Sequence, residues 1–280
     1  MSCPECGEAV PDSSRFCPAC GADAGFPNVR MAERKDNVEK LEERLAMAAA
    51  SSEAAGYTGA LRELGDAVSS SMAVIARPLR IIQDLLEDDR RPYSTYHKEL
   101  NAGTRIPEDN VFDRIRTQFE NALFPNFYNE IRYAALTLDG RWLESFGDHA
   151  MILKEHMIER RATVFEENPY QFARRHKLQL TDVFPPGYRA VWSRRGDLAM
   201  TKLYPKLDSG ADSGDYPSLL MSSKTADGIE DYIEVHIYGP INRSAIERIV
   251  GPVPRSREDR LIWRSLKKAA AKVDVDVEEF

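Results

Sequence analysis

Apolar side chains recur at helical spacing through the first half of the chain. Eight apolar positions, three or four residues apart, run from Leu61 to Leu86, and Pro78 interrupts them. Proline lacks the backbone donor that a helix interior requires, so this stripe predicts an amphipathic helix that is kinked or split at Pro78. A second amphipathic helix is predicted after Pro107 and stops at Pro125. Its apolar face consists of Phe112, Ile115, Phe119 and Leu123.

Residues 31–52 predict a third helix, with dense charges of both signs. Its apolar positions are Val38, Leu41, Leu45 and Ala48, which cover barely two heptads. A stable coiled coil normally needs about three or four heptads. We therefore expect a solvated helix that connects two parts of the chain, after a glycine-containing boundary loop at residues 21–27.

Strand patterns replace helical ones after Tyr128. Four short β-rich runs are separated by turn residues. They lie at residues 131–138, 151–153, 162–165 and 231–238. Three further helices are predicted at residues 188–203, 242–250 and 256–272, followed by a terminal edge strand at residues 273–277. Helices first, then short strands mixed with helices, indicate an α+β fold rather than a doubly wound parallel sheet.

The domain organisation follows from these changes of pattern. We expect a small metal-binding module at residues 1–25, a helical linker at residues 26–56 and an α+β domain at residues 57–280. Within that domain, the first part is helical, the second carries the strands, and a basic helix comes last. These parts cover residues 57–127, 128–250 and 255–272.

Composition and charge describe an ordinary globular protein. The chain has 280 residues, 42% of them hydrophobic and 30% charged, and a net charge of −7. This balance argues against nonspecific attraction of the whole molecule to nucleic acid or to anionic membranes. No apolar run approaches the roughly 20 residues that span a bilayer, and the first residues do not resemble a secretory signal. The expected location is the cytoplasm, where thiols stay reduced.

The chain's four cysteines stand in two similar pairs near its start. Cys3 and Cys6 flank Pro-Glu, Cys17 and Cys20 flank Pro-Ala, and a glycine follows each pair. A C-x₂-C turn supplies two thiolates to a tetrahedral metal ion, and the glycine permits the positive φ that such a turn needs. Residues 3–21 resemble the short zinc ribbons built from two rubredoxin-like knuckles, which implies a structural Zn²⁺. Iron in a rubredoxin-like centre and two disulfides are the alternatives.

The ribbon-like segment is acidic. Residues 3–24 carry four acidic side chains and one arginine, a net charge of −3 before the thiolates are counted. This charge favours a module that binds protein, or a purely structural one, over a finger that grips phosphates. We therefore expect a protein partner at the ribbon.

Residues 231–238 form the segment most suggestive of chemistry. The signatures of P-loop nucleotidases, Rossmann dehydrogenases, α/β-hydrolases and zincin proteases are missing from the sequence. In a strand, Ile233 and Val235 would face a core, whereas Glu234 and His236 would share the opposite face about 7 Å apart along the chain. Lining a cleft, these two side chains could act on one ligand. A wet outer face of an antiparallel strand is the alternative.

The strand residues also carry a family resemblance. Residues 232–240 read Tyr-Ile-Glu-Val-His-Ile-Tyr-Gly-Pro and are similar to the closing strand of ADP-ribosyltransferase-like domains; residues 147–154 and 161–165 are similar to two further stretches of that family. The resemblance spans about residues 132–250. It implies NAD as substrate, with Glu234 as the catalytic carboxylate; His236, the second candidate catalytic residue, stands where the family pattern has glutamine. Arg132 and His97 are the candidates for gripping the dinucleotide.

The last predicted helix is strongly basic. Residues 255–272 carry seven basic and two acidic side chains. Such a helix can dock on phosphates, including nucleic acid, or can balance an acidic body by short-range pairing. Three functions therefore stay open: an NAD-using transferase or glycohydrolase, a non-enzymatic adaptor that binds protein through the ribbon and the α+β domain, and a nucleic-acid reader.

Overall fold

The computed structural model describes residues 1–88, 93, 111–222 and 230–280, and only the backbone of residues 111–116. These residues contain ten α-helices and one eight-stranded sheet, so the α+β prediction is confirmed. The helices are α1 Pro27–Ala32, α2 Lys35–Ala55, α3 Thr58–Ser69, α4 Leu79–Glu87, α5 Val111–Leu123, α6 Glu155–Ile158, α7 Pro169–His176, α8 Arg195–Leu203, α9 Tyr216–Leu220 and α10 Arg257–Ala271. The strands are β1 Met72–Arg77, β2 Ile131–Thr137, β3 His149–Leu153, β4 Ala162–Phe165, β5 Arg189–Val191, β6 Glu234–Tyr238, β7 Ile246–Gly251 and β8 Asp276–Glu279. His97 lies outside the described residues.

The strands are arranged in the order β5-β4-β6-β2-β1-β3-β7-β8. All neighbours are antiparallel except β7 and β8. In the centre of the sheet, β1 pairs with β2 only from Met72 to Val74. Beyond Val74, β1 pairs with β3, while the start of β2 pairs with β6. The two central strands therefore separate and leave a fork in the sheet.

One face of the sheet carries the main core. Alternate strand residues such as Ile75, Leu136 and Val235 pack there against helices α2, α3, α4, α8 and α10. The opposite face is covered in two parts. A cluster rich in phenylalanine, from α5, α7 and their loops, lies over β4 and β6. A smaller cluster that includes Leu143 and Met221 lies over β1 and β3.

The prediction of helix over residues 61–86, kinked or split at Pro78, is wrong in its middle. The chain forms α3, then the central strand β1, then α4 directly after Pro78. Residues 73–76 are all buried. A strand that is buried on both faces reads as a continuous apolar run, and such a run also satisfies the spacing of a helical stripe. Pro78 therefore separates a strand from a helix.

Two other predicted helices contain strands. The helix expected at residues 242–250 is wrong, because the chain forms strand β7 at Ile246–Gly251. The helix expected at residues 188–203 begins as strand β5, and only Arg195–Leu203 is α-helical. Three consecutive residues suffice to add β5 as an edge strand beside β4, too few for a period to be visible in the sequence.

The helix α2 is not a solvated connector. Its apolar stripe was located correctly, but Leu41 and Ala48 are buried in the main core. Asn37 Nδ2 donates to Arg189 O at 3.0 Å, and Asn37 Oδ1 accepts from Gly187 N at 2.9 Å. The helix is thus part of the packed body, which here means residues 27–280, as distinct from the ribbon, residues 1–25.

The remaining strand predictions agree well with the fold. The runs at residues 131–138, 151–153 and 162–165 correspond to β2, β3 and β4, and the terminal segment contributes the edge strand β8. Helix α10 forms within the predicted range of residues 256–272 and buries Trp263, Leu266 and Ala270. In the part of the chain that the structure describes, no helix has the length and apolar character needed to cross a membrane.

Candidate metal centre and ligand cavity

The ribbon consists of two nearly identical turns. In the first, Cys3 N donates to Glu8 O and Gly7 N to Cys3 O; in the second, Cys17 N donates to Ala22 O and Gly21 N to Cys17 O. Gly7 and Gly21 have φ angles of 77° and 75°. This left-handed backbone is costly for residues with a Cβ, which explains the glycine after each cysteine pair. Each turn carries two cysteines toward the same point.

The four thiols fit a tetrahedral metal ion. All four Sγ atoms lie within 4.8 Å of one another. The Cys3–Cys20 and Cys6–Cys17 sulfur separations are 3.7 Å and 3.6 Å. Four sulfurs at about 2.3 Å from a tetrahedral ion would be about 3.8 Å apart. The thiols are not joined in disulfides. The backbone N–H groups of Cys6 and Glu5 lower the pKa of Cys3 to about 7. Despite the Ala22 N–H, contact with Cys6 and the other thiols raises the pKa of Cys20 to about 12, so the charge of a bound metal ion is needed to hold all four as thiolates.

Arg30 fastens the ribbon to the body. Its guanidinium donates to five backbone carbonyls of the ribbon at distances of 2.7 to 3.2 Å. These carbonyls belong to Pro11, Asp12, Ser14, Ala24 and Gly25. Arg30 stands on α1, which Asn28 holds to the sheet by donating to Arg161 O and His236 O. The ribbon is therefore seated on the body in one orientation.

Glu234 and His236 are two residues apart in β6, so their side chains lie next to each other on the same face of the sheet. Glu234 Oε2 lies 2.8 Å from His236 Nε2, and both residues are buried. Tyr232 Oη donates to Glu234 Oε1 at 3.4 Å, and Asn168 Nδ2 is 3.5 Å from the same oxygen. The imidazole of His236 is packed edge-on against the rings of Phe124 and Tyr133. The carboxylate is thus held in place from behind, and the wet outer face considered for this strand is wrong.

The Glu234 side chain lines a cavity at the fork of the sheet. The cavity is bounded by the separating parts of β1 and β2 and by aromatic side chains. The aromatic lining residues are Tyr133, Trp142, Phe146 and Tyr232. The cavity volume is about 60 Å³, which is room for about four water molecules. The fork thus provides a small aromatic recess with a fixed carboxylate in its wall.

Arg77 lines the same cavity. It is the last residue of β1, its Nη1 donates to Ala76 O at 2.8 Å, and its guanidinium lies 5.1 Å from the ring centre of Tyr93. The sequence reasoning missed Arg77, because the helical reading of residues 61–86 hid the strand that carries it. The available signal was an arginine directly after an apolar β-branched run and before a proline.

Arg132, one of the proposed dinucleotide-gripping residues, is placed elsewhere. It is almost fully buried, its Nη1 donates to Glu130 O at 2.8 Å, and burial lowers its pKa. Arg132 is not among the residues that line the fork cavity. Arg77 lines the cavity together with Glu234 and is therefore a better candidate than Arg132 for contact with a ligand that Glu234 also touches.

A network of buried charges lies next to Asn168. Glu166 and Glu167 both contact Arg175 Nη2, at 3.1 Å and 2.8 Å, and Arg44 pairs with Glu166. Burial raises the pKa of Glu167 to about 7. Nearby, Lys202 Nζ donates to Tyr232 O at 2.8 Å and pairs with Asp231 at 2.6 Å. Lys202 thereby anchors the chain directly before Glu234.

The comparisons with known proteins concern the ribbon. A protein-family model of the zinc-ribbon domain matches residues 2–23. A comparison with curated proteins finds no significant match to the chain. The chain is thus an α+β protein that carries an N-terminal zinc-ribbon domain, and its four cysteines are positioned to bind a metal ion.

Proposed function

We propose that the fork cavity is the active site of an enzyme that cleaves the nicotinamide–ribose bond of NAD, as a transferase or a glycohydrolase. The observation that carries this proposal is that Glu234 and Arg77 line one cavity at the point where β1 and β2 separate. An anionic and a cationic side chain in a recess walled by aromatic rings suit a ligand with a planar cationic ring and a diphosphate.

The proposed reaction needs a fixed carboxylate. The bond between the ribose carbon and the pyridinium nitrogen breaks, and both electrons go to the nitrogen, which leaves as neutral nicotinamide. The ribose carbon becomes positively charged until an oxygen or nitrogen nucleophile bonds to it and releases a proton to solvent. Glu234 stabilises the positive charge on the sugar, and its own position is fixed before the reaction starts.

His236 would act through Glu234 rather than on the substrate. Its Nε2 is bonded to the Glu234 carboxylate, and it is not among the cavity-lining residues. We therefore assign His236 a positioning role. The cavity of about 60 Å³ would have to widen to admit the reacting ring. The rest of the dinucleotide would lie outside, where Arg77 at the end of β1 would meet negative charge.

Release of nicotinamide from NAD by the purified, metal-loaded protein tests the proposal. Glu234→Gln removes the charge and keeps the shape, so release should fall at least about 100-fold. Glu247→Gln, the same change at an exposed position of β7, should leave release unchanged. His236→Gln should lower release less than Glu234→Gln, and Arg77→Gln should mainly raise the KM for NAD.

An adaptor that binds protein is the second candidate, favoured by the fixed seat of the ribbon on the body through Arg30. For the enzyme and for the adaptor alike, we propose that the metal of the ribbon is structural zinc. A folded protein that neither releases nicotinamide nor binds NAD by calorimetry would exclude the enzyme and leave the adaptor.

A further inference from the structure

A cleft separates the ribbon from the body. Ser13, Ser14, Arg15 and Phe16 of the ribbon line one side. Phe26 joins the two sides, and the body contributes Glu130, Arg161, Tyr238, Gly239 and Pro240. The cleft volume is about 560 Å³, a size within the usual range of ligand sites. Neither the metal centre nor the fork cavity uses these side chains.

Arg161 brings a positive charge to the cleft, where the lining carboxylate of Glu130 lies 3.7 Å from Arg132. Its guanidinium donates to three backbone carbonyls, of Met157 at 3.0 Å, Tyr238 at 2.8 Å and Pro240 at 2.7 Å. Among the described residues, no carboxylate pairs with it, and its charged neighbours Arg132 and Arg15 join burial in lowering its pKa. A half-buried cation that has no paired carboxylate is complementary to an incoming anion.

Aromatic rings form the other part of the cleft. The ring of Phe26 lies 5.8 Å from that of Tyr238, and the guanidinium of Arg15 lies over Phe26 at 4.3 Å and over Phe16 at 4.9 Å. Phe16 is 51% exposed. Arg15 is already paired with Asp23 at 2.6 Å. Arginine, phenylalanine and tyrosine are residue types that are enriched where proteins bind one another.

We propose that the ribbon–body cleft binds an acidic segment of a partner protein, with a carboxylate at Arg161 and an apolar side chain against Phe26 and Tyr238. A nucleic-acid backbone needs several phosphate contacts in a row, and the other arginine of the cleft, Arg15, is already paired with Asp23. A peptide side chain needs only one cation and an apolar surface beside it.

The cleft and the fork cavity lie along the same strand. Tyr238 and Glu234 are at the two ends of β6 and, being four residues apart, face the same side of the sheet. Their separation along the strand is about 13 Å. A segment held in the cleft would therefore lie near the fork cavity. The inference goes beyond the proposed NAD chemistry and does not depend on it.

Selection from a random twelve-residue display library on the metal-loaded full chain tests the inference. The enriched peptides should contain Asp or Glu next to an aromatic or aliphatic residue. A labelled enriched peptide, measured by fluorescence anisotropy, should bind Arg161→Gln at least tenfold more weakly than the wild type. Arg160→Gln, the same change at the exposed neighbouring residue, should bind within twofold of the wild type.

A second variant guards against a folding effect at Arg161. Phe16 is exposed, so Phe16→Ala should leave the melting temperature unchanged while weakening the peptide several-fold. Enrichment of peptides without acidic residues, no enrichment over the Arg161→Gln protein, or equal binding by all variants would overturn the proposal. The proposal would also be overturned if a labelled single-stranded RNA bound more tightly than the peptide and if this RNA binding were lost in Arg161→Gln. None of these results bears on nicotinamide release.

Discussion

Glu167→Gln is expected to stabilise the protein at pH 8 and to change its stability little at pH 5. Glu167 is buried beside Glu166 and Asp231, and this burial raises the pKa of its carboxyl from 4.5 to about 7. The contact with Arg175, at 2.8 Å, favours the ionised form but does not outweigh burial. The folded protein therefore binds a proton at Glu167 more tightly than the unfolded chain does.

The sign and size of the effect follow from this difference. Between pH 4.5 and about 7 the folded state holds more protons on Glu167 than the unfolded state, so wild-type stability falls as the pH rises through this window. One pKa unit corresponds to about 1.4 kcal/mol, so ionisation of Glu167 costs about 3 kcal/mol at pH 8 and less than about 1 kcal/mol at pH 5. Glutamine removes this cost but also removes the pair with half-exposed Arg175, worth about 1 kcal/mol at most.

Urea unfolding at pH 5 and pH 8 measures the effect. The variant should exceed the wild type by about 1–3 kcal/mol at pH 8, with a much smaller difference at pH 5. Glu53→Gln, at an exposed position of α2, should change neither value by more than about 0.5 kcal/mol. A variant less stable than the wild type at pH 8 would show that Arg175 outweighs burial. Equal stabilisation at both pH values would show that the pKa of Glu167 is not raised in the folded protein. Either result would refute the reasoning.

Three further expectations concern the ribbon and the fork. Removing the metal with a chelator should abolish amide-exchange protection in the ribbon while strands β1–β7 keep theirs; protection that survives in the ribbon would contradict a metal-dependent fold. Arg30→Met should speed amide exchange across residues 8–30 at least tenfold, unlike the exposed control Arg34→Met; equal rates would mean that other contacts seat the ribbon. Gly147→Ala should destabilise the chain by at least about 2 kcal/mol in urea, because its Cβ would lie 2.1 Å from the Arg77 backbone. Gly59→Ala, with no neighbour within 4 Å, should not; similar results for both would refute the close approach.

The parts of the fold that could be predicted are those encoded locally. The two cysteine turns need only their own glycine, proline and thiols, so their spacing defines them. The strand at Ala162–Phe165 and the helix at Arg257–Ala271 follow from short-range patterns that the tertiary structure does not override. In each case the residues that give the signal also form the element.

The central strand could not be predicted in the same way. Val74 and Ile75 are buried on opposite faces, so the alternation that marks a half-buried strand is absent. Met72 and Ile75 lie at helical spacing from Val68 and Leu79 and complete a helical stripe by coincidence. Recognising β1 requires knowing that β2 and β3 lie on either side of it, which is information from residues far away in the chain.

The candidate site could be predicted only in part, because its cavity also depends on residues that are far apart in the chain. The alternation along residues 231–238 located Glu234 and His236, and the structure brings these two side chains together. Glu234 lines a cavity only because β1 separates from β2, and the sequence of one strand does not show how far it pairs with its neighbour. Arg77 was missed because the fork that places it in the cavity was not predicted.

A crystal structure of the protein soaked with NAD tests the central claim most directly. The account predicts density for the nicotinamide ring in the fork cavity, within contact of Glu234 and with Arg77 beside the rest of the ligand. NAD bound at another place on the chain, or ordered water alone in the cavity at millimolar NAD, would contradict it.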